Sequence, residues 1–332
     1  MPELRKDPII RRWVIIARER AKRPSDFKHK AVEADDAFCP FCEGNEDKTP
    51  PEILAYRKAG TEPDKPGWRV RVIPNKFPAL RIEGALDKRG VGMYDQMNGI
   101  GAHEVFVETP RHHRSSSALE PKELEEVVWA YRDRMVDLKK DRRLNYGLIF
   151  KNVGREAGAS LTHTHSQLIA TPFVPIRISE EIRGSEDYYS YRGRCIFCDM
   201  VREEIAFKER VVVETAEFVS FGPFAARFPF ETWIVPKQHL SHFENSPKKV
   251  IEDLALALKE TISRLEIALE QAPYNYVIHS SPFDRDFLHE YHWHIEIIPR
   301  LTKMAGFEWG TGCYINPVAP EDASKYLREI EC

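Results

Sequence analysis

Residues 145–170, NYGLIFKNVGREAGASLTHTHSQLIA, read as a strand, a glycine-rich turn and a second strand whose histidines alternate with hydroxyl side chains. Side chains alternate faces along a strand, so His163, His165 and Gln167 point one way and Thr164 and Ser166 the other. The same order returns from Asn275, where NYVIHS is followed by HWHIEIIPR at residues 292–300. Ahead of each Asn-Tyr strand stands a long helical pattern. Over residues 121–140, Leu124, Val127, Val128, Tyr131, Met135 and Leu138 recur at helical spacing behind a proline-led, acid-rich first turn. Over residues 247–271, Val250, Leu254, Leu258, Ile262, Leu265 and Leu269 do the same. Further upstream lie the strand candidates HEVFVETPRHH and ETWIVPKQHLSHF, each running into a proline and then histidine, and before them stand Cys39-Pro-Phe-Cys42 and Cys195-Ile-Phe-Cys198.

The chain thus reads as an internal duplication whose period is too long for a solenoid. That predicts an α+β fold of two duplicated domains, each an antiparallel sheet with a long packed helix. The expected units are residues 1–178 and 179–332, divided within the charged, tyrosine-rich stretch 175–192. The terminal GTGCYINPVAPEDASKYLREIEC predicts a turn and a short closing helix.

Composition narrows the function. With 332 residues, 42% of them hydrophobic, the chain can bury full cores. A formal charge of -3 without a basic block argues against nucleic acid as the ligand, while local arginines leave small anions open. No run is long and apolar enough to cross a bilayer, and MPELRKDPII lacks the apolar core of a secretory signal, so a cytoplasmic location is expected. In that setting paired cysteines point to metal or redox chemistry before disulfides.

Each half supplies the donors of a tetrahedral zinc site. The first set is Cys39, Cys42, one of His112 and His113, and His163; the second is Cys195, Cys198, His239 and His292. A redox CxxC opens a helix after a strand, whereas FCPFCEGNEDKTPPE continues into Gly, Asp and Pro, as a zinc knuckle leading into a loop does. If His163 is tied to zinc, His165 stands one pleat further on a backbone the metal fixes. A neutral imidazole can attack phosphorus through one nitrogen when its other nitrogen is held in the right tautomer. Gln167 does not titrate, so its amide suits donation to a phosphoryl oxygen. The loop KNVGREAGAS adds Asn152, Gly154, Gly158 and Ser160, whose backbone amides and hydroxyl can approach phosphate closely.

AGASLTHTHSQ resembles the active-site signature of the galactose-1-phosphate uridylyltransferase family, a branch of the histidine-triad superfamily. RAKRP at residues 20–24, the first CxxC, VIPNKFPAL at 72–80, Pro-Arg-His ending at His112, and KMAGFE at 303–308 have counterparts in the same order. The resemblance implies a histidine-triad-like fold in both halves, two zinc ions per chain and His165 as the nucleophile that forms a covalent nucleotidyl-histidine. It also implies Gln167 at the transferred phosphoryl group, Ser160 and Gly158 at the phosphates, with Asn152 nearby. Arg20 and Arg23 match arginines of the nucleotide and phosphate site, and Asn75 and Phe77 match its nucleotide pocket. Lys303, Phe307 and Glu308 match a hexose-contacting segment supplied by the partner subunit of a homodimer. The spacing from Pro110 in the family favours His112 over His113 as the zinc ligand.

In the second half Glu296 replaces the glutamine and SSPFDRDFLHEY replaces the glycine-serine loop. It reads as a copy without catalysis, with His292 on zinc and His294 in the core or at a secondary contact. Two departures stand out: Thr164 and Ser166 occupy positions where some members carry Pro and Gly, and Cys195 and Cys198 replace a Glu-and-three-His metal site. Both resemble a branch that includes a plant enzyme phosphorolysing ADP-glucose. The expected activity is ping-pong transfer of UMP from UDP-glucose to galactose 1-phosphate in galactose metabolism. The alternative is a nucleoside diphosphate sugar phosphorylase using ADP-glucose or UDP-glucose and phosphate. A different class is a zinc-stabilised nucleotide-binding protein without turnover.

Overall fold

The computed structural model describes residues 1–20 and 38–332. Each half builds five antiparallel strands. The first half contributes β3 (Leu54–Arg57), β4 (Trp68–Pro74), β7 (Ala102–Val107), β8 (Tyr146–Val153) and β9 (His165–Thr171). The second contributes β10 (Val211–Glu214), β11 (Phe218–Phe221), β12 (Thr232–Pro236), β13 (Tyr274–His279) and β14 (His294–Pro299). They join in one ten-stranded sheet, ordered β10-β11-β12-β14-β13-β8-β9-β7-β4-β3. That order is the same list read outward from the centre in both directions. The join is the antiparallel pair β8 and β13, with Asn275 opposite Asn152. The fold is therefore α+β, with two duplicated units sharing one sheet.

The two long helices form where the periodicity places them: α1 (Pro121–Leu138), opened by Pro121 and a Glu120/Glu123 capping box, and α4 (Lys248–Ala268). Leu124, Val127, Val128, Tyr131, Met135 and Leu138 are all buried, and they join Val250, Leu254, Leu258, Ile262 and Leu265 in one core on one face of the sheet. A smaller sheet of β1 (Glu3–Lys6), β2 (Trp13–Ile16) and β15 (Tyr314–Asn316), and a hairpin of β5 (Arg89–Val91) and β6 (Tyr94–Gln96), lie outside the large one.

The other face differs between the halves. Across the second half it is covered by α2 (Ile176–Arg192) and α3 (Ile196–Phe207), whose Ile178, Ile182, Ile196 and Phe197 pack with Trp233, Val235 and Tyr291. Across the first half, among the described residues, it carries the smaller cluster Trp68, Ile73, Val105 and Val107 with Phe41 and Ala55. His165 keeps 6% of its surface exposed, whereas His294 keeps none. The charged stretch 175–192 is the helix α2 itself. The chain closes through β15 and α6 (Pro320–Arg328). Among the described residues no helix is long and apolar enough to cross a membrane.

Candidate active site and metal centres

The ligand atoms of Cys39, Cys42, His112 and His163 lie within 4.8 Å of one another. His163 Nδ1 is 3.5 Å from Cys39 Sγ and 3.6 Å from Cys42 Sγ, and His112 Nδ1 is 3.5 Å from Cys42 Sγ. His163 turns its other nitrogen to Thr109 O at 2.8 Å, and His112 turns its own to Thr162 Oγ1 at 3.2 Å. A ring whose Nε2–H is donated outward keeps its Nδ1 lone pair for a metal. Burial pushes the His163 pKa down to about 4, so the ring stays neutral. His113 stands outside this set.

The second set, Cys195, Cys198, His239 and His292, meets the same distance limit. His239 Nδ1 approaches Cys198 Sγ at 3.4 Å and His292 Nδ1 at 3.7 Å, while His239 Nε2 meets Leu288 O at 2.9 Å. The Cys198 thiol is held well below its ordinary pKa, first by the Cys195 hydrogen bond and then by His239 and His292. Both donor sets, two thiols and two imidazoles, fit a tetrahedral divalent metal. The knuckles differ in one respect: the first leads into a turn at Glu46–Lys48, whereas Cys195 caps α3.

Between each cysteine pair stands a phenylalanine that sequence reading passed over. Phe41 packs edge-on against His165, with ring centroids 5.3 Å apart, and against His163 at 6.1 Å. Phe197 lies tilted against His294 at 4.9 Å and His292 at 6.1 Å. Each knuckle thus braces its HxH pair; CPFC and CIFC carried that signal in the sequence.

On β9, His165 Nδ1 lies 2.7 Å from His163 O, so Nδ1–H donates and the free lone pair is on Nε2. Burial lowers the His165 pKa; the bond to His163 opposes this and the Lys151 ammonium adds to it. Gln167 faces the same way, opposite Val105 of β7. Its oxygen lies 2.8 Å from His103 Nε2 and 3.4 Å from Asn75 Nδ2. His103 was not legible as a site residue, because only the strand register sets it beside Gln167.

The glycine loop is held from the second half. Asn275 Nδ2 donates to Asn152 Oδ1 and to Ala157 O, both at 2.8 Å. Gly154 adopts φ +83° against Pro273, where a Cβ would come within 2.9 Å of the ring, and Gly158 turns at φ +92° beside Asn152. Gly158 and Ser160 are exposed at the lip of the strand.

Beneath β9, on the helix face, lies a network that sequence reading also missed. Lys151 Nζ, fully buried, donates to Glu108 Oε2 at 2.6 Å and Thr164 Oγ1 at 2.7 Å. Ser166 Oγ meets Tyr131 OH at 2.6 Å, and that hydroxyl meets Tyr276 OH at 2.7 Å. Thr164 and Ser166 therefore anchor the strand from behind.

In the second half His294 stacks on Trp233, centroids 5.0 Å apart, and is fully buried. Glu296 is gripped by Arg227 at 2.5 Å, and Arg227 by Glu231 at 2.6 Å. Glu181, His279, His294 and Glu296 form a third buried group, with His279 Nδ1 3.0 Å from Glu181 Oε2. This HxH is plugged on every side.

Arg20 is exposed at the end of the turn Arg18–Arg20, and Arg23 lies outside the described residues. Phe77 is 84% exposed. Lys303 is exposed, and Phe307 and Glu308 belong to α5 (Gly306–Thr311), which buries none of its residues.

A family model described as galactose-1-phosphate uridyl transferase, N-terminal domain, matches residues 1–175. The chain belongs to the galactose-1-phosphate uridylyltransferase family. A second model, a domain of unknown function (DUF4921), matches residues 101–329. An ADP-glucose phosphorylase of Arabidopsis thaliana is 41% identical over 99% of this chain and 93% of its own length. A galactose-1-phosphate uridylyltransferase of Thermotoga maritima is 32% identical over 100% of this chain and 99% of its own. The crystal structure of an Arabidopsis thaliana ADP-glucose phosphorylase with bound ADP-glucose superposes with a TM-score of 0.85, at 38% identity and full coverage of both chains. Membership of this uridylyltransferase family makes the protein an enzyme of nucleotidyl transfer or phosphorolysis.

Proposed function

We propose that the protein splits a nucleoside diphosphate sugar through a covalent nucleotidyl-His165 and that its preferred reaction is phosphorolysis of ADP-glucose. The observation that carries the covalent step is the His165 ring. Its Nδ1–H is given to the His163 carbonyl, so the free lone pair is on Nε2, on the face of β9 that Gln167 shares. In the first step Nε2 bonds to the α-phosphorus, the bond from phosphorus to the bridging oxygen breaks, and glucose 1-phosphate leaves with the electron pair. In the second, an oxygen of inorganic phosphate attacks the same phosphorus, His165 departs with the electrons, and ADP is released. Gln167 donates to a non-bridging oxygen in both steps. In this reading Asn152, Gly158 and Ser160 border the phosphates, Arg20 the nucleotide's charge, and Asn75 and Phe77 its base or ribose, while Arg23, outside the described residues, is assigned by the family resemblance alone.

The adenylyl preference is supported by the 41% identity to the plant phosphorylase and by the cysteine pair in the second half. Uridylyl transfer from UDP-glucose to galactose 1-phosphate is the second reading, supported by the family model and the Thermotoga maritima relative. A His165 held in the tautomer that frees Nε2, beside Gln167, argues against a binding protein without turnover. In this reading residues 1–178 are the catalytic unit and 179–332 the supporting one. Zinc would be held by Cys39, Cys42, His112 and His163, and by Cys195, Cys198, His239 and His292, and it supplies rigidity. The reading also includes a homodimer, in which Lys303, Phe307 and Glu308 reach the partner's hexose, and a cytoplasmic location.

Intact mass after incubation with ADP-glucose or UDP-glucose tests the proposal. A gain of AMP on wild type and none on His165→Ala is expected. A gain of UMP alone selects the second reading, and no gain with either nucleotide sugar refutes both.

A further inference from the structure

Gln167 ends in an amide whose two arms differ in hydrogen-bonding sense, and its neighbours fix which arm is which. Ala79 N–H lies 3.1 Å from His103 Nδ1. A backbone N–H only donates, so Nδ1 accepts and carries no proton. The neutral ring then holds its proton on Nε2, and Nε2–H donates to the Gln167 atom 2.8 Å away, which must be the oxygen. A second line of donors agrees. Phe77 N–H donates to Asn75 Oδ1 at 2.9 Å, so the other arm of Asn75 is its NH2, and that arm lies 3.4 Å from the same Gln167 oxygen. The 3.1 Å approach of Asn75 Nδ2 to His103 Nε2 is two donors converging on one acceptor. Two backbone amides of the loop 75–80 thus set the sense of Gln167 through two side chains. Among the described residues its own NH2 has no protein partner, and it stands on the His165 face of β9.

The duplicated half repeats the arrangement in another chemistry. Gln167 pairs across the ladder with Val105, and His103 stands two residues before Val105; Glu296 pairs with Trp233, and Glu231 stands two residues before Trp233. Glu231 holds Arg227 on Glu296. In both halves this register position governs the third residue of the HxHx(Q/E) strand, with hydrogen bonds in the first and ion pairs in the second.

We propose that His103 is a positioning residue for the transfer step: by occupying the Gln167 oxygen it holds the Gln167 NH2 toward the phosphoryl oxygens of the nucleotide that His165 attacks. This rests on the nucleotidyl-His165 reading above. His103→Asn keeps an oxygen for Ala79 N–H and falls short of Gln167, whereas His103→Gln reaches Gln167 with an N–H. The measurement is the single-turnover rate of adduct formation with ADP-glucose and with UDP-glucose, read by intact mass and scaled to folded protein by circular dichroism.

His103→Asn is expected to slow adduct formation about tenfold to a hundredfold, the range for a misaimed donor at a reacting oxygen. His103→Gln is expected to stay within about threefold of wild type, and the half-saturating nucleotide sugar concentration to change less than the rate. Made in Gln167→Ala protein, His103→Asn should cost less than about threefold more, because the group it positions is gone. A His103→Asn rate equal to wild type, or the same slowing with and without Gln167, would overturn the proposal while leaving the covalent mechanism intact. No adduct on wild type with either nucleotide sugar would overturn the mechanism and this proposal with it.

Discussion

At the scale of single residues, the site depends on which nitrogen of a ring and which arm of an amide is left free on the His165 face of β9. His165 is fixed by a carbonyl two residues back in its own strand. Removing the amide by Gln167→Ala should slow adduct formation about a hundredfold to a thousandfold, as for loss of one donor aimed at a charged transition state. Gln167→Glu should be slower still, since it sets a carboxylate against the phosphoryl oxygens; single-turnover mass measurements would rank the two. His165 and Gln167 were legible in the sequence because alternation within one strand suffices to put them together. His103 and Lys151 were not, because their meaning comes from the neighbouring strand and the reverse face of the sheet. A histidine in HEVFV carries no local mark of the glutamine it serves.

At the scale of elements, β9 is a strand with two functional faces. Behind His165 the Lys151 and Glu108 pair, wholly buried, grips Thr164, and Tyr131 grips Ser166. Lys151→Met leaves Glu108 buried without its cation and should destabilise the fold by about 3–5 kcal/mol; pairing it with Glu108→Gln should recover much of that, as urea denaturation would measure. Across the central join, Asn275 of β13 carries the glycine loop that follows β8. Asn275→Ala removes two hydrogen bonds outside the reacting groups, each worth about 1 kcal/mol. Adduct formation should fall by about tenfold or less with little change in melting temperature; an unchanged rate would separate the loop's order from catalysis. The long helices were legible because every expected core position is apolar. Helix α2 was not: of its buried residues Ile178, Glu181, Ile182 and Ser185, two are polar, so the stripe that marks a helix is half erased. Glu181 is affordable there because His279 and Tyr291 bind it from the second sheet half.

At the scale of the whole molecule, the duplicated half supports the first. The second half covers its own HxH face with α2 and α3, and through β13 it supports the loop of the first. The two cysteine clusters should therefore respond differently to loss. Cys195→Ser should lower Tm by roughly 5 °C or more yet leave adduct formation per folded molecule near wild type, whereas Cys39→Ser should remove adduct formation, together with any metal the first set binds, because Phe41 and His163 no longer hold His165. Elemental analysis beside adduct mass would test this. What the chain alone leaves uncovered carries the last prediction. Phe77 is 84%, Phe307 46% and Trp309 74% exposed, and α5 buries nothing of its own. Phe307 and Trp309, exposed on one short helix, call for a covering surface. If a second copy supplies it, with Glu308 serving the partner's site, then His165→Ala and Glu308→Ala chains, each inactive alone, should regain on mixing about a quarter of the wild-type activity. In a random mixture half the dimers are mixed, and each mixed dimer owns one intact site. Sedimentation as a monomer, or mixing without recovery, would place the hexose contacts within one chain.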